Sequence, residues 1–272
     1  MPIHCATACF PGLDLRACVA RLHEGIDEPL LGALSTAHIQ LCPQTPGELT
    51  EAVCEALAED YPDTRFRLHA NARVDTRLRM LDASTFCSST LPYYARLADR
   101  SRRLGAEAYS LHAGYRANCT LDTMIDTVRR LTDLFGIPVA VEGLYPRADR
   151  PQLMAGWAEY EAVMRAGLPI ALDLSHLNIV QTKEGAHPDL AAELMAYAGT
   201  LEVHVSGNDG KADSHAVLER APWWYGLLDT APAQAVVFSE GNQHRRGRTR
   251  RNFGGISHVR SSMSAQNEEA MA

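Results

Sequence analysis

Eight short apolar runs recur along this chain of 272 residues, and they constrain its fold more than any other feature. Their centres lie about 30 to 35 residues apart, and stretches with helical spacing separate them. Nearly continuous apolar runs are typical of parallel strands that are covered on both faces. The runs are His4–Phe10, Ala37–Cys42, Phe66–Ala70, Ala108–Ala113, Pro138–Glu142, Pro169–Leu174, Leu201–Ser206 and Ala235–Glu240. Eight such units predict a closed (β/α)8 TIM barrel. The alternative, an open doubly wound sheet, is disfavoured because no Gly-rich phosphate loop follows the first run.

The stretches between the runs carry apolar residues at the spacing of one helix face, most clearly in Glu48–Leu57, Tyr93–Leu104 and Leu121–Phe135. Four glycines stand where a helix should end, since glycine adopts the left-handed cap conformation without steric cost. They are Gly105, Gly136, Gly167 and Gly199. The helix signal after Glu240 is poor. We therefore expect one barrel domain over residues 1–242 and a flexible, Arg-rich tail over 243–272.

Composition narrows the classes of protein that this chain can belong to. Apolar residues make up 46% of the chain, which is enough for a full core, and no apolar run approaches the length of a membrane span. The seven cysteines are scattered without a Cys-x-x-Cys pair, which predicts reduced thiols and a cytoplasmic location. The formal charge of −7 argues against nucleic acid as the default partner.

His, Asp or Glu stands at the end of six successive predicted strands or just beyond it, usually beside a small residue. The carboxyl ends of barrel strands converge on one mouth, and these residue types bind divalent transition metals. Any one of them alone has a structural explanation, as a hydrogen-bonded core histidine or a helix-capping aspartate. Their repetition at matching places predicts a metal site. The nine candidates are His69, His112, Glu142, Asp173, His176, His204, Asp213, His215 and Glu240.

The order of these residues resembles the trinuclear metal site of endonuclease IV-like proteins, which belong to the xylose-isomerase-like TIM-barrel superfamily. The pattern reads His, His, Glu, Asp-x-x-His, His, Asp-x-His, Glu, and the resemblance covers residues 60–242. It implies a cofactor of two or three divalent ions, either Fe, Zn or Mn. By this resemblance, His69 and His112 hold one metal, which Glu142 bridges to a second. Asp173, His204 and Glu240 complete the second site, and His176, Asp213 and His215 hold the third.

A more distant similarity is to multinuclear non-haem iron enzymes of the methanobactin-biosynthesis type, which oxidise side chains in small peptides. It lies in the segment Leu172–Val180 and in Asp213-Ser214-His215, which Trp223-Trp224 follow. The stretches that flank the Asp-x-His of endonuclease IV-like chains are missing here. The body of the chain is also acidic, so DNA binding is not the first expectation.

These patterns predict a metal-dependent enzyme acting on a small polar molecule or a small peptide. The expected chemistry is isomerisation, epimerisation or iron-dependent oxidative rearrangement, since the ligand types do not choose among Fe, Zn and Mn. The alternatives are hydrolysis of abasic DNA, as in endonuclease IV, and a non-catalytic barrel that binds a partner. The expected catalytic residues are Glu142, Asp173 and Glu240, with Glu142 bridging two metals. Candidate substrate contacts are Arg73, Arg116, Tyr145, Lys211 and Trp223, and Trp223 with Trp224 could instead form a lid or a homodimer contact.

Overall fold

A computed structural model describes residues 1–70, 72–74 and 81–245. Eight parallel strands form a closed barrel in which each strand pairs with its neighbours along the chain and the first pairs with the last. The strands are β1 (Ile3–Ala6), β2 (Ser35–Leu41), β3 (Arg65–His69), β4 (Tyr109–His112), β5 (Val139–Glu142), β6 (Ile170–Asp173), β7 (Thr200–Val205) and β8 (Val236–Ser239). The barrel predicted from the eight apolar runs is confirmed.

Helices cover the outside of the barrel and bury their apolar faces against the strands. They are α1 (Leu15–His23), α2 (Glu51–Asp60), α3 (Leu91–Arg103), α4 (Leu121–Phe135), α5 (Trp157–Arg165), α6 (Leu174–Glu184) and α7 (Pro188–Ala196). Helix α4 has the limits that its spacing predicts. Its first turn is capped by the Thr120 side chain, which accepts a hydrogen bond from the Thr123 N–H, and it ends at Gly136 with φ +69°.

The register of the sheet places candidate ligands side by side. His112 lies opposite Glu142 where β4 pairs with β5. Asp173 lies opposite His204 where β6 pairs with β7. Because paired residues of neighbouring strands point to the same face of the sheet, this register brings these side chains together in pairs at the mouth.

The regular alternation of strand and helix fails in three places. Two helices, α6 and α7, connect β6 to β7, whereas the connection from β7 to β8 carries only a 3₁₀ helix at Tyr225–Thr230. A two-residue hairpin, Asp27–Glu28 with Gly32–Ala33, lies between α1 and β2. The hairpin and the 3₁₀ helix have no signal in the apolar spacing, because these segments are too short to show a period.

Two expectations for single residues are wrong. Gly199 does not adopt the left-handed conformation predicted for it, because α7 ends at Ala196 and Gly199 leads directly into β7. A Cβ at Gly199 would lie 2.3 Å from the Tyr197 ring, so the absence of a side chain serves close packing there. Trp224 is only 1% exposed and belongs to the core, so it is not a surface lid.

The described part of the chain contains no helix that is both long and apolar enough to cross a membrane. Of the predicted tail over 243–272, residues 246–272 lie outside the described residues.

Candidate metal centre

The carboxyl ends of six strands bring the predicted ligands to one mouth of the barrel. Strands β3, β4, β5 and β6 end at His69, His112, Glu142 and Asp173, respectively. The others come from the end of β7, the first turn of α6, the loop after β7 and the position after β8; they are His204, His176, Asp213 with His215, and Glu240. Each of the nine has an imidazole nitrogen or carboxylate oxygen within 4.0 Å of another member of the set.

Glu142 lies at the centre of this group and is only 2% exposed. Its Oε2 lies 3.1 Å from His69 Nε2 and 3.4 Å from His112 Nε2. Its Oε1 lies 3.4 Å from His176 Nδ1 and 3.7 Å from His204 Nδ1. The two oxygens of one carboxylate therefore face two different pairs of histidines, which is the disposition that a bridging ligand needs.

The outer half of the centre is built on the start of α6 and on the loop after β7. Asp173 Oδ1 caps α6 by accepting hydrogen bonds from the backbone N–H groups of Ser175, at 2.6 Å, and His176, at 3.0 Å. Its Oδ2 points toward His176 Nε2 at 3.6 Å. Asp213 Oδ2 lies 2.8 Å from His215 Nε2, and His215 Nδ1 lies 3.4 Å from Glu240 Oε2. Asp173 thus fixes the helix with one oxygen and keeps the other for the mouth.

Several buried polar atoms in this centre lack hydrogen-bond partners in the structure. They are Glu142 Oε2, His204 Nδ1 and His215 Nδ1. Leaving such atoms unpaired is costly, and a cation bound among them removes that cost. Three groups have ligand atoms close enough to share an ion, and these are His69–His204–Glu240, His69–His112–Glu142 and Glu142–Asp173–His176. The residues present therefore fit a metal site, although these groups divide the ligands differently from the resemblance.

The ionisation of the centre reflects the competition between burial and neighbouring charge. Burial lowers the pKa of His69 to about 3. Burial also opposes a charge on His204, but the Glu240 and Glu142 carboxylates outweigh it and raise the pKa of His204 well above its usual range. Burial raises the pKa of Glu240 to about 7. For His215, burial is outweighed by the hydrogen bond with Asp213 together with the charges of the Glu240, Asp213 and Asp173 carboxylates, which raise its pKa to about 9. Metal binding must therefore displace protons from some of these imidazoles.

Backbone strain occurs at two positions of the mouth. Ala70, which directly follows His69, has φ +48°, and His215 has φ +46°. Non-glycine residues rarely adopt this left-handed conformation, and it persists where surrounding contacts enforce it, often at functional sites. At Ala70 the strained backbone directly follows the candidate ligand His69, and at His215 it belongs to a candidate ligand.

The centre lines a cavity of about 190 Å³ at the barrel mouth. Tyr145, predicted as a substrate contact, lines this cavity, and its ring centroid lies 5.0 Å from that of His176. The spacing of strand ends did not single out six further lining residues, because they lie on loops that follow the strands. They are Gln44, Asp82, Tyr115, Leu144, Arg147 and Gln152. Only Asp82 carries a local signal, as a helix-capping aspartate before Ala-Ser-Thr.

The other predicted substrate contacts lie outside this cavity. Arg116 forms an ion pair with Glu159 at 2.7 Å and lines a neighbouring groove of about 550 Å³, which shares Arg147 and Gln152 with the cavity. Arg73 donates a hydrogen bond to the Pro43 carbonyl. Lys211 is exposed. Trp223, which is 37% exposed, donates its indole N–H to Asn178.

A second buried polar group, here called the floor layer, lies one residue pair deeper in the barrel. It consists of Gln40, Arg67 and Glu202. Arg67 Nη1 lies 3.3 Å from Glu202 Oε1, and Gln40 Nε2 donates to Glu202 Oε2 at 2.9 Å. Glu202 Oε2 also lies 3.3 Å from His204 Nε2, so the floor layer supports the centre from below. Strand periodicity explains the arrangement, since residues two apart on a strand share one face.

No protein-family model matches the sequence, and no curated protein matches it. Solved structures do match. A D-tagatose 3-epimerase-like protein superposes with a TM-score of 0.65 and 13% identity over 93% of this chain and 96% of that chain. The fold is that of the xylose isomerase-like TIM barrels. An AP endonuclease of family 2 from Brucella melitensis superposes with a TM-score of 0.60 and 15% identity over 89% of this chain and 93% of that chain. A D-allulose 3-epimerase from Methylomonas sp. superposes with a TM-score of 0.57 and 16% identity over 92% of this chain and 89% of that chain.

Proposed function

We propose that this protein is a metal-dependent enzyme that acts on a small polar molecule held in the mouth of its barrel. The observation that carries the proposal is a cluster of nine histidines and carboxylates with Glu142 at its centre. It lies at a cavity, and some of its buried ligand atoms are unpaired. A structural role for these groups would predict paired atoms, as buried polar side chains normally are.

The nine residues are the ones that would hold two or three divalent ions, with Glu142 as the bridge. Histidine and carboxylate ligands together suit Fe, Zn or Mn. A bound divalent ion would polarise a carbonyl oxygen or lower the pKa of a water molecule. The protein's own part is to present these ligands at fixed positions, because Asp173 is held by the first turn of α6 and Glu142 by the end of β5.

The cavity supports a small substrate. Its volume of about 190 Å³ corresponds to roughly six water molecules at about 30 Å³ each. Tyr115, Tyr145 and Arg147 also line the cavity, and such polar side chains suit the orientation of a polar molecule by hydrogen bonds, although the Arg147 guanidinium is already paired with Asp149. A long basic groove for a duplex is not needed for such a molecule.

Isomerisation or epimerisation of a hydroxy-carbonyl compound is the reaction that we favour. Two of the superposed structures bear the names of sugar 3-epimerases. In such a reaction a carboxylate takes the proton from the carbon next to the carbonyl, and a proton returns to that carbon from the same or another face. Five carboxylates line the cavity, and among them Glu240 is our candidate for this proton transfer; the five are Asp82, Glu142, Asp173, Asp213 and Glu240.

The test is solvent-deuterium exchange. The protein, loaded separately with Mn²⁺, Zn²⁺ or Fe²⁺, is incubated in D₂O with D-fructose, D-tagatose and D-allulose. We expect deuterium to be incorporated over time at the carbon next to the carbonyl, and NMR spectra of the sugar measure this incorporation. Glu240→Gln should abolish it, and the exposed Glu161→Gln should not. No incorporation with any metal would contradict an epimerase and would direct the search to O₂ uptake with small peptides, the oxidative form of the proposal.

Hydrolysis of abasic DNA remains a second candidate, favoured by the superposition on an AP endonuclease of family 2. The arginines of α3 give it little support, because Arg100 and Arg103 are engaged in ion pairs with Glu51. Metal-dependent nicking of an abasic duplex, lost in Glu142→Ala, would establish this activity. Intact duplex at micromolar enzyme would exclude it.

A further inference from the structure

Asp82 is a buried carboxylate at the cavity that is not among the nine metal-ligand candidates. It precedes the 3₁₀ helix Ala83–Thr85, in the connection from β3 to α3, and is only 2% exposed. Together with His112 and Glu142 it lines the cavity, but it belongs to none of the groups that are close enough to share an ion. The position of its side chain therefore calls for another explanation.

One oxygen of Asp82 is held rigidly. Its Oδ1 accepts hydrogen bonds from the Ser84 N–H at 3.0 Å and from the Ser84 hydroxyl at 2.5 Å. The Ser84 hydroxyl in turn accepts from the Tyr115 N–H at 3.1 Å and from Asn118 Nδ2 at 3.0 Å. A Cβ on Gly114 would lie 2.3 Å from Asp82 Oδ1, so the backbone that follows His112 packs directly against this carboxylate. The side chain is fixed in one orientation.

The other oxygen is left over. Within residues 1–70, 72–74 and 81–245, Asp82 Oδ2 has neither a hydrogen bond nor an ion pair. Burial raises the pKa of Asp82 and outweighs the Ser84 hydrogen bonds and the nearby His112 and Arg150, which lower it. A rigid acceptor at a cavity wall is suited to a ligand that brings its own donor.

Two further acceptors of the same cavity also lack partners. Gln44 Oε1 and Gln152 Oε1 are buried without a hydrogen bond in the structure, and both side chains line the cavity. They lie on the loops after β2 and β5, whereas Asp82 lies on the loop after β3. Beyond the metal ligands, the residues of the lining thus include acceptors that have no partner among the described residues, which favours an occupant that carries donors.

We propose that Asp82 binds the substrate directly, with Oδ2 accepting a hydrogen bond from a hydroxyl or ammonium group of the molecule in the cavity. This inference rests on the proposed function, since it assumes a small substrate beside the metal centre. Asp82 then determines specificity, because a substrate without a donor at that point leaves the carboxylate buried and unpaired.

The test uses the full chain loaded with Mn²⁺, whose paramagnetism broadens the NMR lines of nearby ligand protons. D-fructose serves as the hydroxyl probe and D-glucosamine as the ammonium probe, and line broadening against concentration gives a Kd for each. The variant is Asp82→Asn, which keeps an oxygen for Ser84 but removes the charge. The control is Asp126→Asn, a matched change at an exposed position of α4.

We expect the wild-type protein to bind at least one probe and Asp82→Asn to weaken that binding about 10- to 100-fold, the usual range for a hydrogen bond to a charged group. Its Mn²⁺ content and Tm should stay at wild-type values, and Asp126→Asn should bind like the wild type. A loss confined to D-glucosamine identifies an ammonium donor, and a loss with D-fructose identifies a hydroxyl donor.

Three results would overturn the inference: no binding of either probe to the wild-type protein, unchanged binding by Asp82→Asn, or loss of Mn²⁺ from Asp82→Asn. Failure of the proposed function looks different. Probe binding that depends on Asp82, without deuterium exchange, would leave this inference standing and remove the epimerase. Deuterium exchange by Asp82→Asn at the wild-type KM would leave the epimerase standing and remove this inference.

Discussion

Two polar groups are buried one above the other in this barrel, and their carboxylates are paired in opposite ways. In the floor layer, Glu202 has a partner for each oxygen, Arg67 for one and Gln40 for the other. In the metal centre above it, Glu142 Oε2 and His204 Nδ1 have no hydrogen-bond partner among the described residues. The two carboxylates are both buried, Glu202 at 0% and Glu142 at 2% exposed. The difference teaches that burial alone does not mark a functional site, whereas burial with unpaired ligand atoms does.

The largest expected effect on stability lies in the floor layer. Glu202→Ala removes the buried carboxylate from Arg67 and leaves it only the Leu201 carbonyl and the half-exposed Glu107, 3.7 Å away. The free energy of unfolding should therefore fall by about 3–5 kcal/mol. Urea denaturation of the chelator-treated protein measures it. Replacing both residues, as Arg67→Met with Glu202→Met, should recover most of the loss. A Glu202→Ala protein as stable as the wild type would contradict the stabilising role that these contacts indicate for the floor layer.

The metal centre should respond to added ions where the floor layer does not. Saturation at about 1,000 times the Kd should stabilise the folded chain by about 4 kcal/mol, which corresponds to a rise in Tm of about 8–16 °C for a chain of this size. Differential scanning calorimetry with Zn²⁺ or Mn²⁺, before and after chelation, measures it. The increment should persist in the Arg67→Met/Glu202→Met protein if the two groups are independent, and the absence of any increment in the wild type would contradict a metal site.

A smaller effect follows from pH. A histidine whose folded pKa is raised stabilises the fold below its unfolded pKa of about 6.5, and that contribution is lost as the pH rises through the folded value. For His215 the folded pKa is about 9. The chelated protein should therefore lose about 2 kcal/mol, or about 5 °C in Tm, between pH 6.5 and pH 9. The metal-loaded protein should show a flatter profile, because bound ions replace those protons. A chelated Tm that rises over this range would contradict the assignment.

The smallest effect is expected outside the cavity. Lys211 is exposed and does not line the cavity, so Lys211→Ala should change stability by less than about 0.5 kcal/mol. The affinity of the Mn²⁺ form for D-fructose should also stay within two-fold. Tyr145→Phe, at the cavity wall, is the comparison, and we expect it to lower this affinity. A large loss of affinity in Lys211→Ala would mean that the substrate reaches beyond the cavity.

The sequence predicted the parts of this molecule that depend on periodicity. The eight strands and the limits of α4 follow from apolar spacing, and the meeting of His69, Glu142 and Glu240 follows from the rule that strand ends converge. The loop residues could not be found this way. Gln44 and Gln152 occupy irregular segments, where only the three-dimensional path of the chain decides which side chain turns inward. Trp224 was misplaced because a short 3₁₀ segment has no apolar period.

Metal content tests the central claim most directly. The wild-type protein, purified anaerobically without chelator, is analysed by elemental mass spectrometry beside Glu142→Ala and the surface control Glu161→Ala. Because Glu142 faces histidines with both oxygens, we expect two or three divalent ions per chain in the wild type and the control, and at most one in Glu142→Ala. A wild-type protein without metal even after reconstitution, or a Glu142→Ala protein that binds as many ions as the wild type, would contradict the account.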